Sequence, residues 1–322
     1  MTKEACLFPG QGLSAADMVT FYNRLINMDP KFTARRIAET QEALNRVHGS
    51  SAFNVLSSFT NMTSPSFKST AFIQPVTYAL STTVYEAARV HGITSPGFVA
   101  GLSVGEYAAI TAAGVIDYEV GLDIVTNRGK FTQDVYNKTP STLVLLMGAS
   151  LETATKICSQ SKRGVCPEGA AEIAIVSAPD MIVVGCAEKS VPTVEQLAKN
   201  AGVKRTRSLK TTGAFHTQYM EEAAERMSDL LDQYSLGKIQ IPIVANLSGA
   251  ILESGTYSAS NLVRSMTEPV QWAHTLFILK YLTDRFIETG PGRTLQSLNE
   301  HNGIPEIQTV NILNCFIPQL VG

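Results

Sequence analysis

The feature that most constrains this chain is a glycine-bounded serine set between an apolar strand and a helix. Gly97-Phe98-Val99-Ala100 reads as a short buried strand, Gly101-Leu102-Ser103-Val104-Gly105 as a sharp turn, and Glu106-Tyr107-Ala108-Ala109-Ile110 as the start of a helix. A strand passing directly into a helix points to an α/β architecture with a parallel sheet. In a turn of the form G-x-S-x-G the glycines leave room for strained backbone, and the serine oxygen is lifted clear of the sheet. The N-terminus of the following helix then favours negative charge beside that oxygen. Three fixed positions also arise by chance, so the strand-turn-helix context carries much of the weight.

Elsewhere the organisation changes once. From Leu143 to Leu209 the pattern reads strand, helix, strand, strand, helix, strand, the order of a ferredoxin-like unit. Strand-helix alternation resumes afterwards, with strand candidates at Ile241–Asn246 and Arg285–Glu288. The expected fold is therefore α/β: a large α/β-hydrolase-like domain with a short parallel sheet, formed by residues 1–139 and 211–322. Residues 140–210 form an inserted ferredoxin-like small subdomain. Ser57 to Thr70, rich in Ser and Thr with Pro65, reads as a loop. Gln74-Pro75 is expected to open a helix to about Val90, with proline in its favoured first turn. A further helix from Tyr118 to Val135 carries Arg128, and His216-Thr217 is read as opening another.

A chain of 322 residues, 44% hydrophobic and 17% charged, can bury a substantial core. Its formal charge of −2 gives no bulk pull toward nucleic acid or membrane. The cluster Lys204, Arg205, Arg207 and Lys210 reads as a solvated strand face. No apolar run reaches the length of a membrane span, and no leader pattern is read at the start. The expectation is a monomer, cytoplasmic or a mature organellar (plastid or mitochondrial) protein freed of its transit peptide. The five cysteines form neither a disulfide framework nor a zinc pattern, and no phosphate-binding glycine loop or metal set is visible. No cofactor and no metal are expected.

A serine hydroxyl needs a base. The chain has five histidines: His48, His91, His216, His274 and His301. His48 and His301 read as exposed loop residues, His91 as a helix end, and His274 as a helix residue that could be packed. His216, in Gly213-Ala214-Phe215-His216-Thr217, sits at a strand-to-helix junction like that of the serine. A helix N-terminus there disfavours imidazolium and keeps the ring basic. Position alone makes it the best of five, no more.

Six motifs together resemble a family: F-P-G-Q-G at 8–12, G-L-S-V-G-E-Y at 101–107, N-R-G at 127–129, G-A-F-H-T at 213–217, P-V-Q-W at 269–272 and E-T-G-P-G at 288–292. In this order and spread over nearly the whole chain, they are similar to those of the malonyl-CoA:acyl-carrier-protein transacylases, relatives of the polyketide acyltransferases. The resemblance implies that Ser103 attacks the thioester of malonyl-CoA, with His216 as its base. It implies an oxyanion hole from the backbone N–H groups of Gln11 and Val104. A carrier-protein phosphopantetheine thiol then resolves the acyl-serine. Arg128 would pair with the malonyl carboxylate, a two-point geometry lysine cannot match. Leu102 and Phe215 would shape the substrate pocket, Phe215 by crowding a branched α-carbon.

The sequence departs from that family in places. The carbonyl that orients the histidine often belongs to a glutamine; here that position is Ser265. Many relatives have His where this chain has Leu102, and an Asn where it has Ser177-Ala178-Pro179. Asn246 matches the family's V-x-N motif and equally suits the end of a strand. Two other readings stand beside transfer: an editing hydrolase that lets water resolve acyl groups from carrier proteins, and a non-enzymatic docking homologue. Intact Ser103 and His216 weigh against the second.

Overall fold

Ala5 to Phe8 are all fully buried, the unbroken apolar run of a strand covered on both faces. This strand, β1 (Glu4–Phe8), is followed by helices α1 (Ala15–Met28), α2 (Pro30–His48), α3 (Val55–Thr60) and α4 (Thr70–Val90). The chain then runs through β2 (Phe98–Gly101), α5 (Gly105–Ala112) and α6 (Tyr118–Lys138). Next come β3 (Ser141–Met147), α7 (Leu151–Gln160), β4 (Glu172–Ala178), β5 (Met181–Ala187), α8 (Val191–Asn200) and β6 (Arg205–Ser208). It closes with α9 (Glu221–Leu231), β7 (Ile243–Val244), β8 (Ile251–Leu252), α10 (Ala259–Arg264), α11 (Trp272–Leu279), β9 (Arg285–Glu288), α12 (Thr294–His301) and β10 (Thr309–Asn311). The computed structural model describes residues 3–162, 166, 169–209 and 211–316; Lys210 of the basic cluster lies outside them.

Two sheets result. The larger has the order β10-β9-β1-β2-β7-β8, parallel throughout except for the antiparallel edge pair β7–β8. Helix α4 lies against it with almost every side chain buried, the pattern of a helix enclosed on all sides. The smaller sheet, order β4-β5-β3-β6, is antiparallel and falls within residues 141–208. With α7 and α8 it has the β-α-β-β-α-β connectivity of a ferredoxin-like unit and its own apolar cluster around Val144, Ile157, Ile182 and Val194.

The P-V-Q-W segment ties the two sheets together. Val270 exchanges backbone hydrogen bonds with the edge of β4, from Val176 N at 2.9 Å and to Ala174 O at 3.0 Å. Gln271 N donates to Asn246 O at 2.7 Å, just beyond β7. Trp272 then packs into the core beneath the large sheet. The cleft between the sheets is thus closed on one side by main-chain bonds.

Two local expectations change. The stretch read as a loop contains α3 and a 3-10 turn at Pro65–Lys68, and α4 begins at Thr70, ahead of Gln74-Pro75. Asn54 caps α3 through Ser57 N, and Ser64 caps the turn, so the polar residues act as helix starts. Burial of Ala71 and Phe72 extends α4 backward, and Pro75 sits inside it, lacking the N–H that would have reached Ala71 O. Likewise His216-Thr217 precedes a 3-10 turn at Gln218–Met220, and α9 starts only at Glu221.

Candidate active site

Ser103 stands at the crossing from β2 to α5, and its surroundings explain the two glycines. Leu102 N donates to Phe8 O at 2.9 Å, pulling the turn onto the end of β1. A Cβ on Gly105 would sit 2.2 Å from Phe8 O, and one on Gly101 would sit 2.0 Å from Gly105 O. Only hydrogen fits at either place. The compression leaves Ser103 with φ 56°, a left-handed conformation unusual for a residue with a side chain.

His216 also has a positive φ, 63°, in the turn between β6 and the Gln218–Met220 segment. Its N–H donates to Met266 O at 2.9 Å, and its ring Nδ1 meets the carbonyl of Ser265, the residue that ends α10. A carbonyl can only accept, so Nδ1 carries the proton and Nε2 is left as the acceptor. Nε2 lies 2.7 Å from Ser103 Oγ. Burial, and secondly the charge of Arg128, lower the imidazole from 6.5 to about 3, against the pull of the Ser265 carbonyl. The expected helix N-terminus is not the cause: α9 starts only at Glu221, and burial is the largest contribution.

A cavity of about 870 Å³ opens between the two sheets. Gln11, Leu102, Ser103, Phe215 and His216 line it. Val104 and Ser265 are buried behind that wall. Among the described residues no acceptor takes the backbone N–H of Gln11 or of Val104. Arg128 is not among the side chains that line the cavity, but its charge reaches the His216 ring in the cavity wall. It is buried within α6, donates through Nη1 to Gln74 Oε1, lies over the Tyr107 ring at 5.6 Å, and has an unpartnered Nε.

Two residues that the sequence left open or unassigned support the serine, Asn246 directly and Glu106 through Asn246. Asn246 Oδ1 accepts from Ser103 N at 3.3 Å. Glu106 Oε1 accepts from Asn246 N at 3.0 Å and from the Tyr257 hydroxyl at 2.8 Å. Burial raises the Glu106 carboxyl, with Asn246, Tyr257 and Arg128 opposing. Glu106 was legible as the one carboxylate in an otherwise apolar first turn of α5. Arg205 and Arg207, read as a solvated strand face, are exposed and line the cavity, as do Arg293 and His301.

Among the described residues no histidine other than His216 is hydrogen-bonded to the serine oxygen, and some of the others are placed differently from expectation. His48 ends α2 half-buried, edge-on to Phe53, rather than in an exposed loop, and His274 on α11 is exposed rather than packed. His301 is exposed as expected, but at the end of α12. All five cysteines are free. Among the described residues no three His, Cys, Asp or Glu side chains converge as a metal set, and no helix is long and apolar enough to cross a membrane.

Comparison with known proteins matches this architecture. The model of the acyl transferase domain family matches residues 6–310. The chain is 28% identical to the malonyl CoA-acyl carrier protein transacylase of Bacillus subtilis, over 92% of this chain and 90% of that one. It is 26% identical to the enzyme of the same name from Escherichia coli O157:H7, over 98% and 96%. Among solved structures, the malonyl-CoA:acyl carrier protein transacylase of Xanthomonas oryzae shares the fold, with a TM-score of 0.85 at 23% identity over 100% of this chain and 98% of that one. A malonyl-transacylase in complex with a type II polyketide acyl-carrier protein matches with a TM-score of 0.80 at 25% identity, over 96% and 95%. With that family model spanning nearly the whole length, the chain belongs to the acyl transferase domain family.

Proposed function

We propose that this chain transfers a malonyl group from malonyl-CoA to the phosphopantetheine thiol of an acyl carrier protein, through an acyl-Ser103 intermediate. The observation that carries the reading is the 2.7 Å contact between Ser103 Oγ and a His216 Nε2 that is free to accept a proton. As Oγ attacks the thioester carbonyl, its proton passes to Nε2, and the oxyanion lies toward the N–H groups of Gln11 and Val104. Collapse breaks the C–S bond, and the imidazolium returns the proton to the departing CoA thiolate. The carrier-protein thiol repeats the steps in reverse order, giving a ping-pong cycle.

Arg128 supplies the preference for a malonyl carboxylate, and Leu102 and Phe215 bound the acyl chain. Arg205, Arg207 and Arg293 line the cavity and suit the phosphate groups that both thiol substrates carry. The relatives' names, and the solved complex of one relative with a carrier protein, support the same donor and acceptor. An editing hydrolase is the alternative, disfavoured because a buried arginine selecting a carboxylate serves it little. Mixing the protein with malonyl-CoA and holo carrier protein separates the two. Malonyl-carrier protein forming faster than free malonate supports transfer, and the reverse order supports hydrolysis.

A further inference from the structure

Gln74 lies inside α4, fully buried, and its amide is fixed by proton bookkeeping. Its Nε2 donates to Thr70 Oγ1 at 2.7 Å and to Thr132 Oγ1 at 3.1 Å. The Thr70 hydroxyl proton is committed to Gln11 Oε1 at 2.8 Å. The Thr132 proton is committed to its own helix, to Arg128 O at 2.9 Å. Both hydroxyls can therefore only accept from Gln74, which leaves its Oε1 facing one group, the Nη1 of Arg128.

The consequence lies in the guanidinium. Arg128 is buried; its Nη1 donates to Gln74 Oε1, the Tyr107 side chain lies against the guanidinium, and among the described residues no carboxylate is hydrogen-bonded to it. A neutral carbonyl anchors the head without cancelling its charge, Glu106 acts on that charge without a hydrogen bond to it, and Nε stays unpartnered. A buried orphan donor is costly unless a ligand completes it. From this geometry we propose that Gln74 is the positioning residue for substrate selection. It orients Arg128 toward an acyl carboxylate and, through Thr70, ties that orientation to Gln11, whose N–H faces the reacting carbonyl.

The proposal rests on the malonyl reading, so the wild-type protein is measured first. A wild type acylated no faster by malonyl-CoA than by acetyl-CoA sinks that reading, whatever Gln74 does. Given a malonyl preference, the test is Gln74→Glu, which keeps the shape and sets a carboxylate against Arg128. The expected result is a fall of tenfold or more in the ratio of kcat/KM for malonyl-CoA over acetyl-CoA, expressed mainly in the malonyl KM. A smaller change in that ratio, with the thermal unfolding curve intact, overturns the proposal, since a purely structural role lowers both substrates together. Should Gln74→Glu not fold, Thr70→Val carries the test. It removes one of the two acceptors that orient the amide, and the ratio is expected to fall at least threefold; a smaller change overturns the proposal.

Discussion

Ser103 and His216 stand 113 positions apart in the chain, touch at 2.7 Å, and are the two non-glycine residues with positive φ among those described. Each such conformation costs on the order of 1–3 kcal/mol and persists only where surrounding structure imposes it. Here the imposing contacts are visible: the end of β1 against Gly105 and Gly101 on one side, and the Ser265 and Met266 carbonyls on the other. Strain held at two points that meet across a cleft is what a preorganised nucleophile and base require.

The pH dependence of acylation follows from the ring. Its folded pKa lies below the unfolded value, at about 3 against 6.5, so Nε2 stays free to accept throughout the mildly acid range. The rate of Ser103 acylation should show no acid limb centred near 6.5. For stability the sign is the same. The neutral ring's contribution is complete above 6.5 and is lost as pH falls from there toward 3, where the unfolded chain takes up a proton the folded one refuses. A titration of the His216 ring by NMR with a midpoint near 6.5 would contradict both statements.

On the proposed function, replacing Arg128 with alanine removes a charge-assisted pair with the substrate, worth roughly 2–3 kcal/mol, or on the order of a hundredfold. Malonyl-CoA should lose that much in kcat/KM relative to acetyl-CoA. Since Arg128 also lowers the His216 ring, the same variant should raise the pKa of His216. Unchanged selectivity in steady-state kinetics counts against the clamp.

Gly105→Ala should destabilise the fold, because its Cβ has backbone, not a flexible side chain, at 2.2 Å. Overpacking of this kind costs about 3 kcal/mol. Urea unfolding measures it. A variant as stable as wild type would show that the β1–α5 contact is looser than described.

Much of this was legible in the sequence, and the reasons differ by residue. The small sheet was readable because three of its strands are short apolar runs bounded by turn signals, with the polar Arg205–Ser208 completing the β-α-β-β-α-β order, and Ser103 because glycines flank it on both sides. The start of α4 was hidden, since burial of Ala71 and Phe72 is a tertiary fact that outweighs a Ser/Thr-rich composition. The cause of the low His216 pKa was misread for the same reason. Desolvation depends on what packs around a ring, and Arg128 reaches it from a distant helix. Asn246 was ambiguous because such a side chain can end a strand or hold the serine backbone, and here its Oδ1 accepts from Ser103 N two residues beyond β7.

Asn246→Ala withdraws the acceptor from Ser103 N and leaves that N–H unpaired beside a strained turn. A loss of about 1–2 kcal/mol corresponds to roughly tenfold slower acylation. Stopped-flow release of CoA reads it directly, and a wild-type rate would reduce Asn246 to a strand cap.

The most direct measurement is the intact mass of the protein after brief mixing with malonyl-CoA, in the absence of carrier protein. Wild type should gain one malonyl group, discharged when the carrier-protein thiol is added, and Ser103→Ala should gain none. A malonyl adduct of equal yield on Ser103→Ala would place the chemistry on another residue and contradict the account.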